Sequence, residues 1–256
     1  MSEKYIRFRP KTSATSYYGQ LYGDSVLKLD RAPWHGGEAA DEKFNLDDVV
    51  LAAPVEPSKI VCVGLNYQAH VTASQSADKA PEYPLLFLKP PSSLIGHEGK
   101  IVHPEVSERV DYEAELGVVI GRTACKVSVD EAADCIFGLT CVNDVTARDL
   151  QKKDGQWSRA KGFDTFCPVG PHIVTDVDYG DLLVEGILNG KVMQSGRTSM
   201  MIFPIEQVIS YISRIMTLNP GDLVSTGTPA GIAPMKSGDE IVVSVENVGR
   251  LRNVMA

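Results

Sequence analysis

The chain has 256 residues, 43% of them hydrophobic and 23% charged, and a formal net charge of −8. That composition is ordinary for a globular protein, and the acidic balance argues against nucleic acid or an anionic membrane as a general partner. No apolar run is long enough to span a bilayer, the N-terminus MSEKYIRFRP lacks the apolar core of a secretory signal, and the five cysteines contain no CxxC pair, so a cytoplasmic protein with reduced thiols is expected.

In chain order, residues 5–30 read as short strands, with a Gly23-Asp24 turn as a hairpin signal. Residues 31–45 read as loop, and residues 47–53 fit either a helical turn or a short strand. The prolines of PVEPSK place a boundary near residue 57, dividing a small N-terminal β domain (1–57) from a larger domain (58–256). IVCVG at 60–64 reads as a buried strand delivering the polar cluster NYQAH at 66–70. Residues 71–83 are small, polar and proline-punctuated, the composition of a lid, and residues 84–89 resume an apolar strand that ends in Lys89.

The stretch RVDYEAELGVVIG at 109–121 carries the strongest chemical signal. Read as one strand, it puts Ala114, Leu116, Val118 and Ile120 on one face and Asp111, Glu113 and Glu115 on the other. Three like charges in a row repel, and a divalent cation with oxygen ligands would offset them; a solvated strand face with incidental acids is the plain alternative. Downstream, Ser128 with Glu131 has capping-box spacing for a helix at 128–135. A strand at 136–142 then delivers Asn143 and Asp144. The TARDLQ turn follows, with Arg148 and Gln151 on one face and Asp144 four residues before Arg148, so that Asp144 or Asp149 is the expected ion partner of Arg148. Asn189-Gly190 is a hairpin turn, and the period of residues 205–216 is helical. The body is therefore expected to be mainly β with a few helices, an α+β fold.

Taken in order, the motifs NYxxH (66–70), FLKP (87–90), DYEAELGVVIG (111–121), NDVTARDLQ (143–151), WSRAKGFDT (157–165), PVGP (168–171) and PGDLVSTGTPAGI (220–232) resemble the fumarylacetoacetate hydrolase family, including its acylpyruvate hydrolases and 2-hydroxyhepta-2,4-diene-1,7-dioate isomerases. The resemblance covers roughly residues 55–256; the first fifty-odd residues match only loosely, as a small N-terminal β domain. It implies a mixed β-roll, a homodimer, and a divalent metal, Mg²⁺ or Mn²⁺ with Ca²⁺ as a third choice, held by Glu113, Glu115 and Asp144 with Asp111 as a neighbour. It further implies Lys161 beside the substrate and His70 as general base. Arg148, Gln151 and Thr228 are then substrate contacts, and Tyr67 and Lys89 are either substrate contacts or core-facing or rim residues. The implied substrate is a small 2-oxo acid. The first expectation is C–C bond hydrolysis of an acylpyruvate through a metal-stabilised enolate. The alternatives are oxaloacetate decarboxylation, isomerisation or hydration of an unsaturated 2-oxo dicarboxylate in aromatic catabolism, and a non-catalytic metal- or ligand-binding role. One departure matters: relatives often carry a glutamate three residues after the histidine, where this chain has Ala73. Glu82 and Glu98 are the nearest candidates to replace it.

Overall fold

The computed structural model describes residues 2–74 and 80–256. The chain is mostly β, in mixed sheets with few helices, as the sequence leads one to expect. At the centre of the largest sheet, Ala114–Ile120 pairs antiparallel with Ile136–Asn143, with Ala114 opposite Asn143. Leu223–Ser225 flanks Ala114–Ile120 on its other side, Ile60–Gly64 runs parallel to it, and Leu85–Lys89 closes that end of the sheet. In the opposite direction Cys167–Val174 links the centre to the N-terminal strands through Tyr5↔Ile173. Leu183–Leu188, Lys191–Arg197, Glu240–Val245 and Gly249–Met255 belong to a second sheet. A single apolar cluster joins the two sheets. Val61, Leu116, Val118 and Ile120 come from the first, Val184, Val243, Val245 and Leu251 from the second, and Val208, Ile209 and Ile212 from the helix Ile205–Ile215.

The acidic stretch differs from its expected form. Val110–Asp111 pairs with Thr146–Ala147 in a separate small ladder, and Tyr112 and Glu113 carry the chain across to the main sheet. Residues 110–120 are buried throughout, so the strand has no solvated face at all. A central strand covered on both sides must be apolar at nearly every position, which is why Val118, Val119 and Ile120 break the alternation. A second correction concerns residues 31–45, where Ala39–Asn45 is a strand antiparallel to Ser25–Leu29. It lies at the sheet's edge and is largely exposed, so its polar sequence carries no apolar alternation.

Local signals elsewhere are realised. Asn189 and Gly190 both have positive φ (49° and 78°), as a two-residue hairpin turn requires. Ser128 and Glu131 form the reciprocal capping box at the helix Val129–Ala132. Residues 46–52 contain both expected forms, a 3₁₀ turn at Leu46–Asp48 and a strand at Val49–Ala52. The helix Gln68–Ser74 takes up the start of the expected lid, whose residues 75–79 lie outside the described residues. Among the described residues, no helix is long and apolar enough to cross a membrane.

One buried carboxylate ties the parallel pair together. Asp222 is fully buried and accepts from Ser58 N (2.9 Å), Ser58 Oγ (2.7 Å), Lys59 N (3.2 Å), Lys59 Nζ (2.5 Å) and Asn219 N (2.8 Å). Asp222→Ala would strand several of these donors and should lower stability by about 3 kcal/mol in urea unfolding; a loss under about 1 kcal/mol would show that the hub is dispensable.

Candidate metal centre and active site

Glu113 enters the central strand, Glu115 is its second residue, and Asp144 follows the partner strand. All three are buried, and each offers an oxygen within 4.8 Å of the others. The hydrogen bonds divide the six carboxylate oxygens into two sets. One oxygen of each carboxylate is fixed by groups from the surrounding fold. Asp144 Oδ1 accepts from Lys89 Nζ at 2.6 Å. Glu113 Oε1 accepts from the Arg148 guanidinium and lies 3.2 Å from the Thr146 hydroxyl. Glu115 Oε2 accepts from Ser225 Oγ (2.5 Å) and Gly227 N (2.9 Å). The second set answers to Lys161, whose Nζ bridges Glu113 Oε2 (2.9 Å) and Asp144 Oδ2 (2.5 Å). Glu115 Oε1 accepts no hydrogen bond among the described residues.

Only Glu115 of the three has no basic side chain in contact among the described residues. Its acidity shows the consequence: burial, then the charges of Asp144 and Glu113, push its carboxyl up to about 8. Glu113 shifts the other way. Burial alone would raise it, but Lys161 and Arg148 outweigh that and hold it well below the usual carboxylate range. Burial opposes the Lys161 ammonium, yet Asp144 and Glu113 keep its affinity for the proton raised. Three converging carboxylate oxygens, one of them uncompensated, are the donor set of a hard divalent cation such as Mg²⁺ or Mn²⁺, and Ca²⁺ takes the same oxygens. The residues present therefore fit a metal, held by Glu113, Glu115 and Asp144. Asp111 is taken up elsewhere, by Arg148 Nε (2.9 Å) and Arg109 Nε (2.8 Å), as a neighbour and not a ligand.

These carboxylates line a cavity together with His70, Arg148, Gln151, Lys161 and Thr228, with Phe87 and Trp157 as an aromatic wall. Lys161 Nζ sits 4.9 Å from the Phe87 ring centre and 5.9 Å from that of Trp157. Arg148 does not pair with Asp144 or Asp149, because its guanidinium is committed to Asp111, Glu113 and Gln151 Oε1 (2.6 Å). That last bond points the Gln151 carbonyl at Arg148 and leaves its Nε2 donor without a partner among the described residues. The Thr228 hydroxyl is also occupied, donating to Ala114 O (2.9 Å) and accepting from Gln194 Nε2 (2.7 Å). What Thr228 can still offer is its backbone N–H.

His70, on the helix Gln68–Ser74, is 6% exposed, and its Nδ1 has no hydrogen-bond partner among the described residues. Burial lowers its proton affinity; Glu113 partly restores it, and Arg148 and Lys161 lower it again. The balance therefore favours the neutral imidazole. Neither acid proposed as its partner reaches it: Glu98 pairs with Arg252, and Glu82 is exposed beside a separate groove with Tyr83 and Arg214. Two candidate substrate contacts lie away from the cavity lining. Lys89 stands behind Asp144, and Tyr67 is packed in the inter-sheet core. Sequence reasoning passed over Gln194 and gave no role to Asn66 or Ser225, although both lie in quoted motifs. Gln194 ties Ala114 N to the Thr228 turn, and Asn66 clamps Phe203 and Thr226. Each is a polar residue in an otherwise apolar strand or turn, and only the tertiary pairing reveals its partners.

A model of the fumarylacetoacetate (FAA) hydrolase C-terminal domain matches residues 59–256, and one described as Rv2993c-like, N-terminal, matches residues 3–54. The chain belongs to the fumarylacetoacetate hydrolase family. Its relatives include an oxaloacetate tautomerase, YisK of Bacillus subtilis, 42% identical over 82% of this chain and 74% of that one. Another is a 2,4-didehydro-3-deoxy-L-rhamnonate hydrolase of a Sphingomonas species, 46% identical over 76% and 72%. Among solved structures, a 5-carboxymethyl-2-hydroxymuconate delta-isomerase from Mycobacterium smegmatis superposes with a TM-score of 0.92 at 40% identity, covering 99% of both chains. The family thus spans tautomerase, isomerase and hydrolase chemistry on one fold.

The raised Glu115 gives cation binding a defined pH dependence. A ligand carboxylate must be deprotonated, so below about pH 8 each cation displaces a proton and affinity falls by about tenfold per pH unit. Calorimetry of Mn²⁺ binding at pH 6.5 in buffers of different ionisation enthalpy should show about one proton released per ion. Glu115→Gln should release none and bind far more weakly; equal proton release by both proteins would refute the assignment.

Proposed function

We propose that this protein catalyses metal-dependent proton transfer at the carbon beside the keto group of a small 2-oxo dicarboxylate, interconverting keto and enol or shifting a double bond. The observation that carries the reading is His70: a buried imidazole in the same cavity as the three acids, its Nδ1 without a hydrogen-bond partner and with no carboxylate paired to it among the described residues. A divalent cation on Glu113, Glu115 and Asp144 would supply Lewis-acid polarisation of the keto oxygen, which acidifies the neighbouring C–H. A neutral imidazole is basic enough to take a proton so acidified and to return it to the other carbon or oxygen. Lys161 adds fixed positive charge where negative charge develops. Gln151 Nε2 and the Thr228 backbone N–H are donors suited to carboxylate oxygens. Phe87 and Trp157 limit water beside Lys161.

The relative named an oxaloacetate tautomerase supports this reading, and the isomerase structure agrees with it. A second reading, hydrolytic C–C cleavage of an acylpyruvate, is supported by the relative named a hydrolase. It asks more of His70, because water is a far weaker acid than a polarised C–H, and the base would have to work without an orienting carboxylate.

The two are separable in one experiment. The protein is supplied with Mn²⁺ or Mg²⁺. Ketonisation of enol-oxaloacetate is followed by coupling the keto form to malate dehydrogenase, while pyruvate release from oxaloacetate and acylpyruvates is measured in parallel. Fast ketonisation without pyruvate is expected, and His70→Asn should reduce it by about 10²–10⁴-fold. Pyruvate release as the dominant activity would overturn the proposal in favour of cleavage.

A further inference from the structure

Lys89 lies at the end of the strand Leu85–Lys89, is 1% exposed, and does not line the active-site cavity. Its Nζ donates to Asp144 Oδ1 (2.6 Å) and to the Val145 carbonyl (3.1 Å). The surroundings are apolar: Cys62 and Phe87 on adjacent strands belong to the cluster beneath the site, as does Cys167. Burying an ammonium costs several kcal/mol unless it is paired, and this one is paired to a metal-ligand candidate from the side away from substrate. The two lysines on Asp144 are not equivalent. Lys161 lines the cavity and can give up Asp144 Oδ2 to an incoming ion. Lys89 is anchored to a backbone carbonyl inside the core and is not part of the cavity lining.

We infer that Lys89 is a positioning residue of the metal site: it holds Asp144 to single-oxygen ligation and opposes the cation with a fixed positive charge, keeping affinity moderate and coordination positions open for water and substrate. The inference rests on the metal reading of Glu113, Glu115 and Asp144. Were Lys89 only a structural ion pair, removing it would disorder Asp144 and weaken cation binding. The inference requires the opposite sign. With Lys89 neutralised, Asp144 has both oxygens available and a like charge near the ion is gone, so Mn²⁺ should bind about tenfold tighter or more. Fewer waters should remain on the ion.

Lys89→Met and Lys89→Gln are titrated with Mn²⁺ by calorimetry at fixed pH beside the parent protein, and water-proton relaxation enhancement reports the waters left on bound Mn²⁺. The glutamine variant removes the positive charge while keeping a polar end for the Val145 carbonyl, so it carries the test if the methionine variant does not fold. Tighter binding with lower relaxation enhancement supports the inference, as does Lys89→Arg binding as the parent does. Unchanged or weaker binding by a folded Lys89→Gln overturns it. If the parent itself binds no Mn²⁺, the metal reading falls and this inference falls with it.

Discussion

The constraint on which the site depends is an imbalance of buried charge. Glu113, Glu115 and Asp144 are crowded into a cavity walled by apolar strands, where an uncompensated carboxylate is costly. Lys161, Lys89 and Arg148 meet the demand of Glu113 and Asp144 in full. Glu115 receives only a hydroxyl and a backbone N–H, both on one oxygen. Two states relieve it, a proton or a cation. In the metal reading, the same side chain sets both the affinity for the ion and its dependence on pH.

The fold creates this imbalance through topology. The ligands come from two antiparallel neighbours, so Glu113 and Glu115 face the end of the strand that delivers Asp144. The third strand, Leu223–Ser225, brings Ser225 and Gly227 beneath Glu115, and Gln194 reaches from the second sheet to lock the same turn. The edge pair Ile60–Gly64 and Leu85–Lys89 supplies Lys89 behind Asp144, Phe87 beside Lys161, and the lead-in to His70. Glu113, Glu115, Asp144, His70, Gln151 and Lys161 thus project from a regular element or the residue next to one, which suits chemistry that depends on placement of charge.

Much of this was legible in the sequence. The spacing of Asp111, Glu113 and Glu115 offered a cation site as one of two readings before any comparison, and the ordered motifs identified the family. Local rules also placed the capping box and the Asn189-Gly190 turn, whose geometry is decided by neighbours in the chain. What sequence could not show depends on distant partners. The break at Tyr112 and Glu113 follows from pairing with Thr146–Ala147, which no local pattern encodes. Arg148 was expected to find an acid four residues away, but burial turned it to Asp111 and Glu113. Lys89 stayed open between a substrate contact and a core-facing residue because a motif gives identity and not direction. The strand Ala39–Asn45 escaped notice because an exposed edge needs no apolar face.

The central claim is that Glu113, Glu115 and Asp144 jointly hold one divalent cation. A crystal of the protein grown with Mn²⁺ tests it most directly, through the anomalous difference map at the manganese edge. The account predicts a single strong peak among these three side chains, with one oxygen of each at about 2.1–2.2 Å from the ion, close to the distance for Mg²⁺. A map with no peak there, with Lys161 still bridging Glu113 and Asp144, would contradict it.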